Sequence, residues 1–135
     1  MKIAIVGVGY VGFANALVLS KQNDVICVDI SQEKVDLINK NKPPTKNLEA
    51  KVFMDSNQLN LVASTDLENS IKSAEYAILA LPTNYDDELQ NFDTSLIETT
   101  LKKIKEINTK ICLVIRSTVP IGFTDSIKTK FDFTN

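Results

Sequence analysis

Apolar residues fall along this chain in two alternating rhythms. Five short runs are apolar almost without a break: 2–6, 24–28, 59–64, 76–81 and 111–115. Unbroken β-branched runs of this length read as strands buried on both faces. Between them the apolar positions recur at helical spacing. Val11 to Lys21 combines small and apolar residues, as in a helix packed closely on a sheet. Ser31 is placed as an N-cap ahead of Glu33 to Ile38, and Pro43 and Pro44 end that helix. Leu48 to Asp55 has a weaker pattern that suits one short helix. Thr65 or Asp66 caps a short segment through Ile71. After the polar loop from Thr83 to Phe92, Asp93 is the expected N-cap of a helix with Ile97, Leu101, Ile104 and Ile107 on one face. Pro120 suits the first turn of a last helix through about Lys130, since its missing N–H would be unpaired there.

Buried strands alternating with helices imply a parallel sheet covered on both sides. With right-handed crossovers the pattern predicts an α/β fold of the Rossmann type: a doubly wound sheet in the order 3-2-1-4-5, three layers deep, as one domain over residues 1–135. Ligands bind such sheets at the carboxyl ends of the strands. Four places are thereby singled out: the turn after the first strand, Asp29 after the second, Pro82-Thr83-Asn84 after the fourth, and Ser117-Thr118 after the fifth.

The first of these carries Gly7-Val8-Gly9-Tyr10-Val11-Gly12. Gly7 permits a tight turn, Gly9 lets the backbone approach a pyrophosphate, and Gly12 lets the helix pack against the strand. The helix N-terminus adds N–H groups and partial positive charge. Such a turn is specific only in context, and here it follows a strand, opens a helix and is matched by Asp29 about 20 residues on. Asp29 can accept both hydroxyls of an adenosine ribose and would repel a 2′-phosphate, so NAD is expected rather than NADP. On residue type alone Lys34 is a solvated surface lysine. The hydroxyls at Ser117 and Thr118 allow two readings: a group at the nicotinamide end that holds a carboxamide or a water, or a cap on the helix begun by Pro120. Thr83 poses the same choice.

Composition removes other classes. The chain is 44% hydrophobic and 24% charged, with a net charge of −2 and no cationic block, so nucleic acid is not an expected partner. No apolar stretch has membrane-spanning length and the start does not resemble a signal peptide, so a cytoplasmic location is expected. Cys27 and Cys112 sit in apolar strand runs and read as reduced core thiols. With no histidine, His-based metal sites and Ser-His catalysis are excluded within the chain. Asp86, Asp87 and Glu88 form an acidic run in a loop, read as solvated rather than metal-binding.

Several segments together resemble the N-terminal domain of the UDP-glucose 6-dehydrogenase family, within the UDP-glucose/GDP-mannose dehydrogenases. They are residues 1–12, Val28-Asp29-Ile30 with Lys34-Val35, Pro82-Thr83-Asn84-Tyr85, and Ser117-Thr118-Val119-Pro120-Ile121-Gly122. The resemblance runs end to end, departing at Pro43 to Asn47. It implies NAD contacts at Tyr10, Val11, Asp29, Lys34, Thr83 and Thr118, with Thr118 also helping to hold a water at the reacting centre. The family oxidises the C6 alcohol of a nucleotide sugar to a carboxylate in two NAD-dependent steps, through an aldehyde and a cysteine-bound thioester. The resemblance places the nucleophilic cysteine, a catalytic lysine and aspartate, the sugar-binding segments and a sixth strand beyond residue 135. The chain is therefore expected to be the NAD-binding part of a larger homodimeric enzyme, inactive alone, with the UDP-sugar a partner of the full-length protein only. A parent acting on GDP-mannose or a UDP-N-acetylhexosamine, and a non-catalytic nucleotide-sensing module, remain the alternatives.

Overall fold

The computed structural model describes residues 1–87 and 91–132. Five parallel strands, β1 (Lys2–Val6), β2 (Asp24–Val28), β3 (Leu61–Ser64), β4 (Tyr76–Leu79) and β7 (Cys112–Ile115), form a sheet in the order β3-β2-β1-β4-β7. This is the expected 3-2-1-4-5 winding, since β7 is the fifth strand of the sheet. The remaining two strands, β5 (Tyr85–Asp86) and β6 (Asn91–Phe92), pair antiparallel as a small hairpin within the segment expected to be only a polar loop. The Tyr85 and Phe92 rings meet edge to face at 5.3 Å, a contact invisible to periodicity because each strand is two residues long.

Strand residues alternate between two cores, which is why the runs are continuously apolar. Ile3 and Ile5 of β1, with Val25 and Cys27 of β2, pack under α1 (Tyr10–Leu19), α2 (Gln32–Asn39) and α3 (Leu48–Ser56). Ala4 and Val6, with Ala77 and Leu79 of β4, face α4 (Leu67–Lys72), α5 (Ser95–Ile107) and α6 (Phe123–Phe131) on the other side. Ile97, Leu101 and Ile104 of α5 are fully buried, at the spacing that predicted this helix.

Side chains set the helix boundaries. Ser31 Oγ accepts the N–H of Lys34, and Asp66 Oδ1 that of Asn69, as expected of N-caps. At α5 the cap lies one residue later than expected: Thr94 holds the N-cap position, while Asp93 Oδ1 accepts the N–H of Ser95 at 2.9 Å. The last helix differs more. Pro120 is not in its first turn; its carbonyl accepts the N–H of Phe123, and Gly122 at φ 80° separates it from α6. A left-handed residue cannot continue a right-handed helix, so α6 starts at Phe123. Lys105 of α5 donates to the carbonyls of Phe131 and Asp132, fastening the end of α6.

The two sheet edges differ. The Asn39 side chain donates to the carbonyl of Ala63 at 3.0 Å and accepts its N–H at 2.8 Å, so one amide satisfies the outward groups of the middle of β3. At the other edge every residue of β7 is half-buried, including Cys112, which was expected in the core. Cys27 is fully buried, and both thiols are free.

Truncating Ile104 to alanine leaves a cavity between α5 and the sheet. Denaturant titration should show a loss of about 2–5 kcal/mol, and a loss below about 1 kcal/mol would contradict this packing.

Candidate functional site

Strand register brings the singled-out segments to one edge of the sheet. Val6 is level with Val28 on one side and Leu79 on the other, and Leu79 is level with Ile115. The next residues are tied across: Gly7 N–H donates to the Val28 carbonyl, Ala80 N–H to that of Val6, and Arg116 N–H to that of Leu79, each at 2.8 Å. The glycine turn, Asp29, the Pro82-Thr83-Asn84 exit and Ser117-Thr118 therefore share the carboxyl edge. The turn lies at the switch point, where the chain leaves β1 for β2 and later returns to β4 on the far side.

The three glycines answer to three different demands. Gly7 has φ +94°, and a Cβ there would lie 2.6 Å from the Ala80 carbonyl oxygen. A Cβ on Gly12 would come within 1.9 Å of the Gly7 carbonyl oxygen, so α1 can sit on the turn only without a side chain at this point. A Cβ on Gly9 would meet nothing within 4 Å, and its backbone, φ −76° and ψ −165°, is open to any residue. The fold does not require glycine at position 9. The space beside it is what a bound group could use, and Gly9 is itself the N-cap of α1, whose first turn holds no acidic residue.

Asp29 closes the opposite side. Its side chain is 10% exposed; Oδ2 accepts the Val8 N–H at 2.9 Å and lies 3.3 Å from the Lys34 ammonium, while Oδ1 accepts the Ser31 N–H at 3.0 Å. Burial by itself would raise this carboxyl; the two N–H groups and Lys34 outweigh it and hold the pKa below the ordinary value. The same charge, second to burial, helps push the buried Cys27 thiol up to about 12.

The two hydroxyls after β7 separate. Ser117 Oγ donates to the Leu81 carbonyl at 2.8 Å and ties the exits of β4 and β7 together. Thr118 is exposed and caps no helix, because α6 starts after Gly122 with no side-chain cap. The capping alternative for Thr118 is thereby removed. Thr83 is half-buried at the exit of β4, Lys34 is half-buried, and Tyr10 and Val11 are exposed at the start of α1. Sequence reasoning missed the Asp29 to Val8 bond. Its only signal was that both residues flank strands predicted to be neighbours.

The site is an open shelf. Two cavities lie elsewhere, one of about 260 Å³ at the amino ends of β1 to β3, against α4, and a hollow of about 810 Å³ between the hairpin and the start of α5, while a third of about 210 Å³ between α1 and α3 reaches Tyr10. Of the acidic run, Glu88 lies outside the described residues. Among the described residues no three His, Cys, Asp or Glu side chains converge, and no helix is long and apolar enough to cross a membrane.

Residues 1–132 match the NAD-binding domain of the UDP-glucose/GDP-mannose dehydrogenase family. The UDP-glucose 6-dehydrogenase of Campylobacter jejuni is 46% identical over 137 residues, covering 100% of this chain and 35% of that protein. That of Streptococcus pneumoniae is 42% identical over 132 residues, covering 98% and 34%. The chain thus spans 34 to 35% of the length of these curated relatives. A GDP-mannose dehydrogenase from Pseudomonas aeruginosa, solved as a ternary complex, matches with a TM-score of 0.82 at 29% identity, over 94% of this chain and 30% of that one.

The steric partition predicts opposite outcomes at neighbouring positions. Gly12→Ala should lower stability by about 3 kcal/mol, the upper end of the usual overpacking cost, whereas Gly9→Ala should change it by less than about 1 kcal/mol. Equal losses in thermal melts would contradict the assignment. Asp29 supplies a pH test. Its depressed pKa contributes stability that is complete above the ordinary value of 3.8 and is lost as pH falls through the lower folded value. The difference in Tm between the native chain and Asp29→Asn should be constant near neutrality and shrink below about pH 4; a difference that grows in acid would reverse the sign.

Proposed function

The chain belongs to the UDP-glucose/GDP-mannose dehydrogenase family, matching its NAD-binding domain, and on that premise we propose that residues 1–135 form the NAD-binding Rossmann domain of a UDP-glucose 6-dehydrogenase. The observation that carries the reading is Gly9, a glycine with neither a positive φ nor a crowded Cβ, set at a helix N-terminus opposite a carboxylate at the end of β2. A ligand that brings a pyrophosphate and a diol to the same edge gives both features a reason.

In this reading Gly7, Gly9 and Gly12 shape the turn, and the N–H groups at the start of α1, flanked by Tyr10 and Val11, hold the pyrophosphate. Asp29 takes the ribose hydroxyls with Lys34 beside it, and Thr83 and Thr118 serve the nicotinamide end. Bound NAD supplies the acceptor for a hydride from a sugar carbon. The free Thr118 hydroxyl supports its role as the one catalytic residue of this chain, helping to hold a water at the reacting centre. The nearness of UDP-glucose enzymes at 46% and 42% identity supports UDP-glucose as substrate of the parent protein, oxidised to UDP-glucuronate with two NAD.

The thiol nucleophile of that reaction is assigned outside this chain. A thiolate is the attacking species, and Cys27 is buried with its pKa pushed up to about 12, while Cys112 sits half-covered at the amino end of β7, opposite the carboxyl edge. The chain alone is expected to bind NAD without turnover, and the parent to be a cytoplasmic homodimer.

Titration with NAD and NADP tests the reading. NAD should bind at least about tenfold more tightly, because a 2′-phosphate would face the Asp29 carboxylate. Equal affinity, or none for either, would remove the assignment.

A further inference from the structure

Asp29 does more than face a ribose. We propose that it is a positioning residue for the pyrophosphate turn, holding that turn in its binding conformation through the Val8 N–H. The inference rests on the reading above and extends it from the adenosine end to the diphosphate.

Val8 belongs to no helix or strand, yet it is fully buried and follows the left-handed Gly7. Its N–H has one acceptor, Asp29 Oδ2 at 2.9 Å, 21 residues away. On its other side Gly7 donates to Val28, the residue before Asp29. The turn after β1 is therefore stitched to the end of β2 by two consecutive N–H groups, the first to a backbone carbonyl and the second to a carboxylate. Without the carboxylate, a buried N–H beside a left-handed glycine would have no partner, and the backbone would gain by rotating to find water. Such a rotation moves the peptides that follow, which are those at Gly9 and the start of α1.

The acceptor count leads to a second consequence. A carboxylate offers about four acceptor sites. Three are in use, by Val8, Ser31 and Lys34. Two ribose hydroxyls need one more site than remains. The two backbone donors are fixed by the turn and by the start of α2, so the Lys34 ammonium, at 3.3 Å and 36% exposed, is the partner that moves aside. Val8 stays bonded whether or not ribose is present, as a positioning contact must.

The test separates diphosphate from ribose by using inorganic pyrophosphate, which has no diol. Removing the negative charge by itself favours an anion, so the comparison is between two neutral variants of the 135-residue chain, Asp29→Asn and Asp29→Ala. The asparagine oxygen has two donors at the Oδ2 position, Val8 and Lys34, against one at Oδ1, and so keeps the Val8 bond. In NMR titrations Asp29→Asn should bind pyrophosphate about five- to tenfold more tightly than Asp29→Ala, the scale of one ordering hydrogen bond. The Val8 amide should exchange with solvent faster in Asp29→Ala. Ser31→Ala, which loosens α2 without touching Val8, should leave pyrophosphate affinity unchanged. Equal affinity in the two Asp29 variants, or a Val8 amide that exchanges at the rate of an open loop in the native chain, overturns the proposal. Should Asp29→Ala fail to fold, the exchange rate in the native chain still decides. A native chain that binds neither NAD nor pyrophosphate sinks the broader reading instead, so the two failures are distinguishable.

Discussion

The contact between the Gly7 carbonyl and the bare Cα of Gly12 controls the geometry of this domain. A helix that starts directly after a buried strand must turn back over it within a few residues, and here a single Cβ would be 1.9 Å from an oxygen. Because that space is empty, α1 lies close to β1 and its first N–H groups open at the sheet edge. Gly7 turns the chain and Gly12 lets it pack. Position 9 is left to whatever approaches from outside. The packing requirement and the binding requirement therefore fall on different glycines of one motif.

Charge is arranged around the same corner. The Asp29 carboxylate is held by two backbone N–H groups and a lysine ammonium. Together these outweigh the cost of burying it and keep it ionised. One group thus joins the end of β2, the glycine turn and the start of α2. Its two backbone donors, at Val8 and Ser31, hold the carboxylate in place while the lysine can give way, which is how preorganised polar groups favour binding. Beneath it the Cys27 thiol, buried and beside a carboxylate, stays protonated and acts as core.

The sheet edges show how the domain is bounded. Asn39 covers the middle of β3 with a pair of hydrogen bonds that imitates a neighbouring strand, while β7 has no such cover among the described residues. The inner strands carry apolar residues on both faces, and the partial exposure of all four β7 residues marks where this two-sided burial stops.

Much of this was legible beforehand. Buried parallel strands need apolar residues on both faces, so their runs stood out at 2–6 and 24–28, and right-handed crossovers then favoured the order 3-2-1-4-5. The glycine spacing with Asp29 singled out the turn after β1, where the close approach of Gly12 to the Gly7 carbonyl lies within the motif itself. Other features depended on groups far apart in sequence. Nothing local separates Ser117, bonded to the Leu81 carbonyl, from Thr118, left free. Pro120 was a plausible helix start until Gly122 adopted a left-handed conformation, and a two-residue strand pair such as β5 and β6 is too short for periodicity to detect. The bond from Val8 to Asp29 exists only because β1 and β2 lie side by side. Apolar pattern and backbone sterics are written locally, so the sequence by itself determined the five strands of the sheet, the helices between them and the glycine turn; which polar groups become partners is a matter of distance in space, and only the tertiary structure decided it.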